Sequence, residues 1–223
     1  SDTTGEVRQS AAANFLYGLK PTYGLVSRFG LIGSAPSFEQ IGIIAKKIED
    51  ISKVFKMVKG KDSKDSTSLD KVEEGFFDDL KGNLKGINIA LPKEYFEDDM
   101  ISETISTIKM LGANVEYVSI PSLKYVLQVY EIISSGEFSS NMGKFDGLAF
   151  GYRTSDFKDI DELYKKSRSE SFGEGVKKKI IFGNFVLSSD QYIDFYEQAQ
   201  RVRGLIIKEF KEVFNRFDVI LTP

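Results

Sequence analysis

The sequence predicts an α/β fold, a mixed β-sheet flanked by helices, on three observations. Apolar residues recur every three or four positions in several windows, which is the helical period. Short apolar or β-branched runs bounded by Gly, Pro or Asn read as strands. Between residues 87 and 118 the two signals alternate as strand, helix, strand, and a crossover helix that short argues for parallel pairing.

In order along the chain, Val7 to Ala13 are small and helix-compatible. "NFLYGLKPTYGLVSRFGL" mixes aromatic residues with Gly and Pro punctuation and reads as short strands and turns. Ile44, Ile48, Ile51, Phe55 and Val58 predict a helix over 44–58, with Gly60 as its stop. "KGKDSKDSTSLDKVEEG" reads as a polar, exposed connection. "GINIALP" is a buried strand, Ile101, Ile105, Ile108 and Leu111 form one helical face ended by Gly112, and "NVEYVSI" is the next strand. "SLKYVLQVYEIISS" predicts a helix with Leu123, Val126, Leu127, Tyr130 and Ile133 turned inward. "EGVKKKIIFGNFVLS" and a long helix from about 190 to 215 precede "FDVILTP", which reads as a buried strand. With no internal repeat or linker tract, 1–223 reads as a single domain, cut at both ends and lacking part of its sheet. Exposed sheet edges and apolar patches would then favour self-association or a partner.

Composition excludes several chemistries. Cysteine and histidine are both absent, so the chain alone builds no disulfide, thiolate nucleophile, imidazole base, Ser-His-Asp triad or His-ligated metal site. A net charge of −3 gives no global footprint for nucleic acid, so no direct nucleic-acid contact is expected. Lys165, Lys166 and Arg168 read as surface. No apolar run approaches the ~20 residues of a membrane span, and the polar N-terminus is not a secretory leader. These features fit an intracellular protein, cytoplasmic or in an organellar matrix such as the mitochondrion.

The opening "SDTTGEVRQSA" is a tight loop of small residues running into a helix start. Together with "GLKPTYGLVSRFGLI", "SFEQIG", "DSTS" (65–68), "ALPKEYF", "SIPSLKYVLQVYEIISSGEFSSNMGKFDGLAFGYR" and "SRSESFGEGVKKKIIFGNFVLSSDQY", it resembles the amidase signature family, here its C-terminal portion. The later blocks are most similar to the family branch that forms the A subunits of glutamine-dependent tRNA amidotransferases. The resemblance implies the amidase-signature fold, with the N-terminal portion absent from this chain. It implies an enzyme that cleaves an amide through an acyl-enzyme with a Ser–cis-Ser–Lys triad, using no cofactor and no metal. In the A-subunit branch the amide is that of glutamine, and the ammonia passes to partner subunits that amidate glutamate on tRNA.

Laid on this chain, the family's Asp-Thr-Gly-Gly-Ser loop is matched by Asp2, Thr3 and Gly5. Thr4 replaces the first glycine, and Glu6 stands where the nucleophilic serine would be. The triad lysine and cis-serine belong to segments before residue 1. Arg8 and Gln9 match residues that brace the loop. Tyr130 matches a tyrosine of the glutamine pocket, and Lys178 or Lys179 an arginine that holds the α-carboxylate. A carboxylate attacking an amide would form an anhydride, uphill and with a poor amine leaving group, so Glu6 is read as a helix N-terminal acid rather than a nucleophile. Thr4 is expected to be strained if its position needs positive φ. With no base expected nearby, Thr3 and Thr4 read as turn residues, and Asp2 as a structural acceptor. The implied partners are other amidotransferase subunits, and a polypeptide carrying the missing N-terminal half. A non-catalytic interaction scaffold, or a degenerate remnant of the amidotransferase polypeptide, is the competing reading.

Overall fold

The computed structural model describes residues 1–70, 83–96 and 101–223, which divide into two compact units. One comprises Ser1–Leu80 with Glu137–Ile181, and the other Lys81–Gly136 with Phe182–Pro223.

In the first unit, helix α1 (Glu6–Ala13) is followed by strand β1 (Tyr17–Leu19). β1 pairs antiparallel with β2 (Ile43–Ala45), placing Tyr17 opposite Ala45 and Leu19 opposite Ile43. Helix α2 (Ile48–Val58) then packs Phe55 against Leu25 and Val26, with Leu19, Ile41 and Ile43 around them. The apolar period is therefore right for Ile48, Ile51, Phe55 and Val58, but Ile44 belongs to β2. Three residues are too few for an alternation to declare itself. The connection after Gly60 is not wholly exposed either. Asp65 and Ser68 are buried, because the "DSTS" turn closes on itself through side-chain bonds to backbone. Its last part, 71–75, lies outside the described residues.

The unit also holds α5 (Ile160–Ser171), whose N-cap Asp159 accepts the Glu162 N–H at 2.8 Å. Arg168 is not a plain surface cation. Its Nη1 donates to the Met142 and Phe145 carbonyls at 2.8 and 3.1 Å. Lys166 pairs with Asp156 and Glu162, and Lys165 is exposed.

The second unit contains the anticipated strand–helix–strand. β3 (Asn88–Pro92) and β4 (Asn114–Val118) are parallel, with α3 (Ser102–Met110) between them, and β5 (Val219–Ile220) pairs parallel on the other side of β3. Gly112, at φ 97°, ends the helix in a backbone conformation that side-chain-bearing residues rarely adopt. Ile89, Leu91 and Ala113 form the core, with Ile105, Ile108, Val115 and Leu221 against them. The terminal strand is shorter and less buried than its composition suggests. Phe217 is buried, whereas Val219 is 43% exposed.

Two long helices run through the chain, α4 (Val126–Met142) and α6 (Glu174–Leu187). Leu123 and Ile133 are buried as expected, but Leu127 is 72% exposed. A 3-10 turn over Pro121–Tyr125 precedes α4 and breaks the phase from which Leu127 was assigned inward. The long helix expected from 190 begins instead as a π-helical stretch, Tyr192–Glu197, continuing into α7 (Gln198–Phe214). There Tyr192 and Tyr196 stack with ring centroids 5.4 Å apart, and Phe195 meets Phe185 edge-on at 5.3 Å.

Phe55 is 2% exposed, so Phe55→Ala should cost about 3–5 kcal/mol in chemical denaturation. Val54→Ala, at a 42% exposed position on the same helix, should stay within about 0.5 kcal/mol.

Candidate functional site

The loop at 2–6 is fixed first by its backbone. The Asp2 N–H donates to the Gln40 carbonyl at 2.8 Å, and the Gln40 N–H returns a bond to the Asp2 carbonyl at 3.0 Å. Gln40 is fully buried, and its side chain accepts from the Gly24 N–H and donates to the Val26 carbonyl.

The Asp2 carboxylate, 1% exposed, organises the rest of the loop. One oxygen accepts the Gly5 N–H at 2.9 Å and Arg8 Nη2 at 3.0 Å, and the other accepts Arg8 Nε at 3.1 Å. This is the two-pronged guanidinium–carboxylate geometry. Burial pushes the Asp2 carboxyl up, but Arg8 and the Gly5 N–H outweigh it and hold the pKa below the ordinary value. The hydrogen bond to Asp2 raises Arg8 in turn, against its own burial. Gln9 N–H donates to the Gly5 carbonyl at 2.7 Å, the first bond of α1.

Gly5, at φ 117°, supplies the reversal that turns Glu6 back over the loop. The strain expected at Thr4 is not there. Among the described residues Phe15 is the non-glycine residue with positive φ, so the demand falls on Gly5.

Glu6 begins α1, and its carboxylate lies on the loop's own amides. Oε2 accepts the Thr3 and Thr4 N–H groups at 2.6 and 2.8 Å, and Oε1 accepts the Thr4 hydroxyl at 2.8 Å. Burial pushes the carboxyl up, but the two N–H groups and the hydroxyl bring the pKa down to about 2. A carboxylate therefore does stand beside the Thr4 hydroxyl, contrary to the sequence reading. The same bonds that hold its pKa at about 2 make it a weak base.

Lys20 was missed. Its Nζ donates to the Pro21 carbonyl at 2.8 Å, and burial, followed by the Arg8 charge, lowers its pKa. Its only sequence signal is its place inside "GLKPTYG". The "DSTS" turn forms a second polar centre. Asp65 accepts the Arg28 N–H at 2.8 Å and the Thr67 hydroxyl at 2.6 Å, beside a cavity of about 200 Å³ lined by Arg28, Phe29, Lys64 and Asp65 among others. Lys178 pairs with Glu174 at 2.7 Å on an exposed face of α6, and Lys179 Nζ lies 5.2 Å from the centroid of Phe138. Tyr130 belongs to the other unit, half-buried on α4. Among the described residues no group of three or more Asp and Glu could hold a metal ion, and no helix is long and apolar enough to cross a membrane.

The candidate site is thus a short helix opened by a Gly-containing loop. The whole chain, residues 1–223, matches the family model described as Amidase, and the chain belongs to that family. It is 44% identical over 230 residues to the A subunit of glutamyl-tRNA(Gln) amidotransferase from Listeria welshimeri, covering all of this chain and 48% of that protein. The Lactococcus lactis counterpart is 46% identical, with 47% of it covered. The crystal structure of the corresponding Thermotoga maritima protein superposes with a TM-score of 0.71 at 31% identity, covering this whole chain and 45% of that one. A bacterial aryl acylamidase of the amidase signature family shares the fold, with a TM-score of 0.76 at 22% identity. The chain spans about half the length of the curated relatives it matches.

Both Asp2 and Glu6 have folded-state pKa values below their unfolded ones, so the stabilisation they give is full above the unfolded carboxylate range and is lost on acidification. Wild type should lose thermal stability as pH falls from about 4.5 through about 2. Glu6→Gln should be less stable than wild type at neutral pH, and the two melting curves should converge near the acid end.

Proposed function

We propose that this chain is an A-subunit-type amidotransferase polypeptide whose own loop does not hydrolyse amides. Its relatives are subunits of glutamyl-tRNA(Gln) amidotransferase, and the chemistry the resemblance implies is glutamine hydrolysis that supplies ammonia. One observation carries the reading. The position at the head of α1 that would present a nucleophilic hydroxyl holds Glu6, and its carboxylate is spent on the Thr3 and Thr4 amides. Attack by that group would have to break charge-assisted bonds and would yield an anhydride. Neither Thr hydroxyl replaces it, since the adjacent carboxylate is too weak a base. By the resemblance, the lysine and cis-serine of the family triad lie in segments that precede residue 1. Asp2, Arg8 and Gln9 then keep the loop's shape, while Tyr130 in one unit and Lys178 or Lys179 in the other each match, by the resemblance alone, a position of the family's glutamine pocket. A lysine there keeps the charge but loses the fork of an arginine.

The scaffold reading has its own support. In the first unit the apolar side chains of Phe15, Ile32 and Phe29 are 97%, 70% and 62% exposed, and a further polypeptide would bury what water now covers.

Ammonia release from glutamine tests both readings. The chain alone, and the chain mixed with a polypeptide carrying the lysine and cis-serine segments, should release no ammonia above background. Glu6→Ser in the same mixture should restore release. Robust release by the Glu6 form would sink the proposal. Co-purification of the wild-type chain with that polypeptide, without activity, is the outcome the scaffold reading requires.

A further inference from the structure

We propose that Glu6 is the resident anion of its own loop, filling the cradle made by the Thr3 and Thr4 N–H groups and shutting it against any outside carbonyl or carboxylate oxygen. Two successive amides converge on one oxygen, Glu6 Oε2, at 2.6 and 2.8 Å. Paired amide donors on a single oxygen are the arrangement that stabilises an oxyanion, and here a fully charged oxygen already sits on them. The second oxygen is tied by the Thr4 hydroxyl at 2.8 Å, so swinging the carboxylate out breaks three bonds.

The neighbouring groups are engaged elsewhere. The Gly5 N–H faces Asp2 at 2.9 Å, and Arg8 closes on the same carboxylate, which leaves Thr3 and Thr4 as the open donors. Gly5 supplies the reversal at φ 117° that brings Glu6 over them. The plug is attached two or three residues from the donors, so its effective concentration far exceeds that of a free ligand. A neutral carbonyl is also the weaker acceptor of the two. This contact is distinct from the missing hydroxyl: a nucleophile brought in from elsewhere would still find the cradle occupied. The inference deepens the functional reading and rests on it only in naming the loop as an amidase loop; the contact itself stands without it.

Amide hydrogen exchange and 15N shifts of Thr3 and Thr4 in the full chain test it, with sodium formate as the probe. In wild type both amides should exchange roughly tenfold or more slower than free-chain rates, despite the exposed position of Thr4, and should ignore formate. In Glu6→Ala both should speed up, and formate should restore their protection saturably. Glu6→Gln, which fills the space with a neutral group, should be intermediate and insensitive to formate. Free-chain exchange at both amides of wild type overturns the proposal even if no variant folds. So does a folded Glu6→Ala chain whose amides do not respond to formate. Ammonia release by wild type would overturn the functional reading while leaving the amide measurement to decide this one.

Discussion

The N-terminal loop depends on one buried carboxylate. Asp2 loses its hydration on burial, and such a charge persists only where donors replace the water it gave up. Arg8 supplies two and Gly5 a third, while the Asp2 backbone is held in both directions by Gln40. That one residue therefore fixes the peptide of Gly5, the direction of α1 and the path of residues 2–6. The orientation of Glu6 is set by the conformation that this contact imposes on Gly5.

Carboxylates settle on backbone amides elsewhere in the chain too. In the first unit Glu39 accepts the Ser34 N–H and hydroxyl and the Ala35 N–H, and Glu137 accepts the Ser37 N–H and hydroxyl. In the second, Glu209 takes the Ser122 N–H and hydroxyl, and Glu94 takes the Ser119 hydroxyl and Ile120 N–H. A chain with 33 acidic residues and neither histidine nor cysteine closes its turns with the groups it has. Glu6 uses the same chemistry, a carboxylate bonded to backbone N–H and a hydroxyl. What separates it from the others is that it does so as the first residue of a helix, bent back over the loop that opens it.

The strand–helix–strand of β3, α3 and β4 was legible because apolar periodicity is a property of consecutive residues, as was α2 from Ile48 onward. β2 was not, since its three residues pair with a partner more than twenty positions away, and pairing leaves no local pattern that short. The burial of Asp65 and Ser68 was hidden for a related reason: polar residues that satisfy one another within a turn look solvent-facing in sequence. Leu127 fell on the wrong face because a 3-10 turn changed the helical phase just before it. At the site, the motif located the loop and named Asp2, Glu6 and Arg8. It could not reveal that Glu6 bends back onto Thr3 and Thr4, because that depends on the sign of φ at Gly5. The same sign removed the strain expected at Thr4.

The position of β5 has a consequence for how the chain is made. Its partner β3 is completed early, yet the Asn88 N–H waits for an Asp218 carboxylate 130 residues further on. At the usual ribosomal pace that interval is roughly 6 to 26 s, long compared with the formation of a helix or hairpin. Throughout it, the edge of β3 that pairs through Ile89 and Ala90 stands open on the nascent polypeptide. Synthesis of this chain therefore passes through a sticky intermediate that a chaperone, or a polypeptide already waiting to dock, is well placed to shield.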